Sequence, residues 1–252
     1  MNLFSNFPKK TVQLLLVCFL APLFIVSCGS SEPPPSTATP IPPTPTPDPA
    51  AIVRGAGAAM SDLESVRFEI SRTGGPAYVD ENDQFILNEA IGLYSAPTSA
   101  IAELDVSGLG LNIKVQTIAI GEEQWLTNFL TQQWEKLPEN IGFNPADIFG
   151  PEGFEALLDE NVTDVSPMRI ENIEEAEFTA IDVVVEGDRV SAITAGAAAS
   201  DQPVELTVWL DRATSRIHQI QFETPSPTDV TAKWLLKFGQ FNEPVTIEPP
   251  VQ

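Results

Sequence analysis

From Val66 onward, hydrophobic residues fall at every second position. Val66, Phe68 and Ile70 alternate with Arg67, Glu69 and Ser71, which predicts a strand with one buried face. Gly74-Gly75-Pro76 ends it. Phe85 to Ser95 alternates again, with Phe85, Leu87, Ile91 and Leu93 in phase and Glu89 interrupting their face. Ala102, Leu104 and Val106 are set against Glu103 and Asp105. After Gly108 and Gly110, Leu111, Ile113 and Val115 alternate with Asn112, Lys114 and Gln116. Gly121 to Lys136 predicts two short strands, carrying Trp125 and Trp134, with Asn128 to Gln132 as the turn.

The period changes at Pro138. Pro145 to Gly150 and Pro151 to Glu160 read as helical, because Pro151 suits a first helical position and Phe154, Leu157 and Leu158 form one apolar stripe. Strands resume after Val162, with Val165, Met168, Ile170 and Ile173, then Phe178 to Glu186 with Ile181, Val183 and Val185 in phase. Asp188 to Ala199 is alanine-rich and reads as a helix or a loose crossover. Val204 to Asp211, Ile217 to Glu223 and Val230 to Phe238 are the last strands. Ahead of all of them, Ala50 to Leu63 predicts one helix, with Asp48 near its start and Ile52, Met60 and Leu63 on its apolar side. The expected class is α+β: one long, curved antiparallel sheet with helices against a single face.

The first residues do not belong to that domain. Lys9-Lys10, an apolar run from Val12 to Val26 and small residues at its end make a secretory signal peptide, residues 1–27. Residues 28–49 are almost all Ser, Thr, Pro, Ala and Gly and cannot build a core. Polyproline II at about 3.1 Å per residue makes them a stalk reaching roughly 60 Å. Residues 50–252 remain as one domain, long enough to bury a sizeable core.

Composition narrows the function. The chain carries 35 acidic against 13 basic residues, a net charge of -22. That excludes a nucleic-acid partner, which needs a basic face, and excludes electrostatic docking on anionic lipid. No cysteine follows Cys28, so the domain has no disulfide. The one histidine, His218, reads as a surface or edge residue of its strand. Glu122-Glu123 and Glu174-Glu175 could hold a hard cation or act as acid and base, but neither sits in a cation-loop pattern, and they read as solvated turn residues. Asn161-Val162-Thr163 fits a glycosylation sequon. No nucleophile-base motif, nitrogen or sulfur metal set, or phosphate loop is present, so neither an enzyme nor a cofactor is expected.

Two resemblances add to this. Ile25-Val26-Ser27-Cys28 resembles the bacterial lipobox, which implies that Cys28 is acylated and becomes the mature N-terminus. The order of pieces then resembles the LppX/LprA/LprF/LprG family of bacterial lipoproteins over about Ala50 to Phe241. It runs from lipobox, linker and helix through a strand block to Gly121-Glu122-Glu123-Gln124-Trp125. Asn144-Pro145-Ala146-Asp147-Ile148-Phe149-Gly150-Pro151 and Val208-Trp209-Leu210-Asp211 follow. The long stalk departs from the family pattern, and Trp125 stands where a smaller aromatic is expected.

The resemblance implies a half-barrel sheet wrapped around a few helices with a central apolar cavity, related to the LolA and LolB carriers. It implies a protein lipid-anchored to the cell membrane outside the cytoplasm. Such a protein binds acyl chains of lipids or glycolipids and carries them in the cell envelope, with an envelope transporter as partner. The other reading is a non-enzymatic envelope sensor whose partner reads the lipid-bound state. The expected cavity side chains are Phe149, Phe154, Leu157 and Leu158 from the middle helices. From the sheet they are Leu104, Val106, Ile113 and Val115, with Ile181, Val183, Leu206 and Val208.

Overall fold

The computed structural model describes residues 47–79, 82–138, 144–160, 162–194, 196–198 and 200–251. The predicted signal peptide, Cys28 and residues 28–46 of the predicted stalk lie outside these, as does Asn161 of the sequon. Helix α1 spans Pro49–Ser61, with Asp48 as N-cap: its carboxylate accepts from the Ala50 amide at 3.1 Å, and Pro49 supplies the preset φ of a first turn. Its buried stripe is Val53, Ala56, Gly57 and Met60.

The strands are β1 (Ser65–Gly74), β2 (Phe85–Ser95), β3 (Ser99–Gly108), β4 (Leu111–Ile120), β5 (Glu123–Thr127), β6 (Trp134–Lys136), β7 (Arg169–Ile173), β8 (Ala176–Val185), β9 (Val204–Asp211), β10 (Ile217–Thr224) and β11 (Ala232–Gly239). All join one antiparallel sheet in the order β6-β5-β4-β3-β2-β1-β11-β10-β9-β8-β7. It is a curved half-barrel made of two meanders, joined where the first strand pairs with the last, from Arg67↔Gly239 to Gly74↔Ala232.

Two bulges break the predicted alternation. Leu87 pairs with Val106 and Glu89 with Asp105, so Asn88 is an extra residue in β2. Two residues opposing one reverse the facing of everything beyond. Ala90 and Tyr94 therefore point inward and are buried, whereas Ile91 and Leu93, expected in phase with Leu87, turn to the convex face. Arg72 anchors this bulge. Its Nε donates to the Leu87 carbonyl at 2.6 Å, its Nη2 to Asn88 Oδ1 at 2.9 Å and its Nη1 to the carbonyls of Gly74 and Gly75. Burial pulls its pKa down. The second bulge, between Ile217 and Gln219, places His218.

The helical segments on the concave side are shorter than the apolar stripe suggested, and they depart from α-helical winding. Pro145–Phe149 is a 3-10 helix capped by the Asn144 side chain, and Pro151–Glu155 winds as a π-helix. Gly150 separates them, and Gly153 leaves helical backbone at φ -88°, ψ -117°. A Cβ there would lie 1.9 Å from the Ile148 carbonyl oxygen, so only glycine fits. The described residues of Asp188 to Ala199 hold one 3-10 turn, Arg189–Ser191, whose Arg189 donates to the Ala156 carbonyl and pairs with Asp159 at 2.8 Å. Helix α1 meets the π-helix backbone to backbone: a Cβ on Gly57 would lie 2.8 Å from the Phe154 carbonyl oxygen.

Phe149 centres the core. Tyr94 stacks on it at 4.6 Å, and Phe68, Phe154 and Phe238 surround it at 5.9, 5.7 and 6.2 Å between ring centroids. Such offset and tilted aromatic pairs add about 0.5–1.5 kcal/mol each beyond area burial.

Candidate functional site

On the concave face, the register places small residues in a row across three strands. Gly92 pairs with Ala102 and Ala102 with Thr117; in the next row Ala90 pairs with Leu104. Small side chains facing the helices leave space. The result is a partly enclosed cavity of about 200 Å³ between β1–β5 and the 3-10 helix Pro145–Phe149. Phe68 and Ile70 line it from β1, Leu87 and Ala90 from β2, and Ala102, Leu104 and Val106 from β3. Thr117 and Leu126 complete the sheet side. Leu137, Pro145 and Ile148 close the other side, and Val79 stands at its edge.

Among the described residues, Thr117 is the one polar residue in this lining, and no titratable side chain of theirs belongs to it. Such a surface can hold an apolar group by burial. The volume is below the roughly 300–1,000 Å³ typical of pockets for drug-sized ligands. It suits a slender chain segment and leaves no space for a bulky polar head.

Of the side chains expected in a cavity, Leu104 and Val106 line it. Ile113 and Val115 sit beside them on β4, paired with Val106 and Leu104 on the same face. Phe149, Phe154, Leu157 and Leu158 are fully buried in the core between α1 and the sheet. Ile181, Val183, Leu206 and Val208 are wholly buried beneath the β8–β9 half, where the concave face is filled. The lining residues of β1, β2 and β5 are new. Their signal was the register row of small residues, which alternation within one strand cannot reveal.

The titratable candidates lie away from this cavity. His218 stacks on Phe178 at 4.3 Å, and burial lowers its pKa. Phe178 belongs with Ala180 and Trp209 to a small cluster of its own. Glu123 pairs with Lys136, while Glu174 and Glu175 form the two-residue turn between β7 and β8. Arg169 forks onto Asp182 at 2.5 and 2.9 Å and also meets Glu171 at 2.5 Å. Trp209 Nε1 donates to Glu171 at 2.7 Å and Thr207 to Asp182 at 2.8 Å. Hydrogen bonds from Arg169 hold both carboxyls below their ordinary range. Among the described residues no three His, Cys, Asp or Glu side chains are grouped to hold a metal ion.

Comparison with known proteins supports the same architecture. The family described as LppX_LprAFG lipoprotein matches residues 48–247. The crystal structure of Mycobacterium tuberculosis lipoprotein LppX is similar with TM-score 0.56 at 18% identity, covering 79% of this chain and 98% of that one. LprF from Mycobacterium bovis is similar with TM-score 0.62 at 12% identity, covering 82% and 99%. A search among curated proteins finds no match.

Proposed function

We propose a function from one premise: the chain belongs to the LppX_LprAFG lipoprotein family. It binds the acyl chain of a lipid or glycolipid in the cavity beneath β1–β5 and carries it within the cell envelope, without chemical change to the cargo. The observation that carries this reading is the apolar cavity itself, in whose described lining Thr117 is the one polar residue. The head group stays outside, because the space accepts only a chain segment. Residues 1–27 act as the signal, Cys28 as the acylated anchor and residues 28–49 as the stalk, which keeps the domain at the outer face of the membrane. A transporter of the envelope is the natural partner for loading or release.

The test is binding of a fluorescent acyl probe by residues 48–252, together with mass spectrometry of any lipid that co-purifies. Leu104→Trp projects a large ring into the cavity; probe binding should fall while the melting temperature stays within a few degrees. Val183→Trp, in the filled half, should instead overpack and cost about 1–3 kcal/mol of stability. An unaltered domain that takes up no probe and carries no lipid overturns the reading.

A further inference from the structure

We propose that the rim formed by the β3–β4 and β5–β6 turns docks on a lipid surface of neutral head groups. Leu109 is 71% exposed, Leu111 56%, Phe129 41% and Leu130 78%. Because β5 runs back along β4, the two turns lie at the same end of the sheet, and a shallow groove of about 420 Å³ joins Leu111 to Phe129 and Leu130. Four large apolar side chains concentrated on two adjacent turns differ from the isolated apolar residues that any surface carries.

Charge points to the same partner. The protein carries 35 acidic residues, yet residues 106–116 and 124–134, which hold these turns, contain none. Their one charged residue, Lys114, is paired with Glu103 at 2.8 Å. The rest of the molecule carries a strong acidic excess and repels anionic surfaces. Neutral head groups are therefore favoured. A protein partner or a second copy fits poorly. Four side chains on turn tips cannot supply the ~800 Å² per partner of a standard interface, whereas insertion into lipid needs no complementary shape.

The concave phase of β4 links the rim to the cavity. Leu111, Ile113, Val115 and Thr117 share one face, and Thr117 lines the cavity. The predicted anchor and stalk would keep the rim within reach of a bilayer. The docking surface stands on exposure and charge and does not depend on the cavity being occupied.

Residues 48–252 contain every described strand and helix with their core, so that segment serves for the test. It is floated with phosphatidylcholine vesicles, and with vesicles that also contain phosphatidylglycerol. The unaltered domain should float with phosphatidylcholine and less well with phosphatidylglycerol present. The double variant Phe129→Ser, Leu130→Ser should lose at least about tenfold in partition, since each large side chain withdrawn from lipid removes a substantial burial term. Ile170→Ser, which removes an apolar side chain from β7 whose exposure lies between those of Phe129 and Leu130, should float as before with an unchanged melting temperature. No flotation of the unaltered domain, or equal flotation of the double variant, overturns the proposal. So does a dimer in sedimentation that the double variant abolishes, because the rim would then be a protein interface.

Discussion

Gly92 lies directly opposite Phe68 across β1 and β2, and the ring of Phe68 occupies the space that a Gly92 side chain would need. A Cβ at Gly92 would come within 2.4 Å of Phe68 Cζ and 2.5 Å of the Ile101 carbonyl oxygen. The ring could swing away, but the carbonyl belongs to the backbone. Phe68 also lines the cavity, so Gly92 acts on its floor through the position of that ring. Gly92→Ala should lower stability by about 1–3 kcal/mol and weaken acyl-probe binding. Denaturant melts and probe titration check both effects.

The bulge at Asn88 depends on a forked donor. Arg72→Met would leave the Leu87 carbonyl without its partner and should cost about 1–3 kcal/mol. Arg72→Lys should recover only part of this, because an ammonium cannot reach the Leu87 carbonyl and Asn88 with the same planar geometry. Urea unfolding of the three proteins distinguishes the outcomes.

The Arg169 network makes an acid-dependent contribution. Asp182 and Glu171 have folded pKa values depressed by Arg169, so their contribution is complete above the unfolded values of about 3.9 and 4.3 and is lost as pH falls through the folded ones. His218, depressed by burial, adds loss of stability on acidification below about pH 6.5. Arg169→Met should be less stable than the unaltered domain at neutral pH, and the difference should shrink between about pH 5 and pH 2. Melting curves across that range measure it.

The β7–β8 turn is strained by its residues. Glu174 and Glu175 have φ of 49° and 74°, the left-handed region that a two-residue hairpin turn of this hand requires. Asn and Gly adopt it readily. Glu174→Asn with Glu175→Gly should raise the melting temperature, by a free energy on the order of 0.5–1 kcal/mol.

If Cys28 is the acylated anchor proposed above, Cys28→Ser should leave the chain unprocessed or released from membranes, since an acyl anchor at that position needs the thiol. Detergent partition and the size of the mature product test this; a serine variant that still partitions at mature size contradicts it.

The strands and their order along the chain were legible because antiparallel strands with one buried face alternate strictly. The facing of Ile91 and Leu93 was not, because Asn88 carries no signal that it opposes nothing on β3. The helical segments were read from Phe154, Leu157 and Leu158, but their departure from α-helical winding follows from Gly150, Pro151 and Gly153 acting within a few residues of one another. The cavity was least legible. Val183 and Leu104 have the same phase and similar character, and only the register of neighbouring strands puts fillers over one and space over the other.

The pairing of β1 with β11 governs how the domain must assemble. Each meander can zip from local hairpins, but the seam between them waits for the last strand to return to the first across nearly the whole chain. Such distant closure is slow. Until it happens, β1 presents an unpaired edge flanked by Phe68 and Ile70, the kind of template on which chains join one another. A chain cut before Ala232 would keep that edge open permanently, so its fate is self-association rather than a smaller working domain.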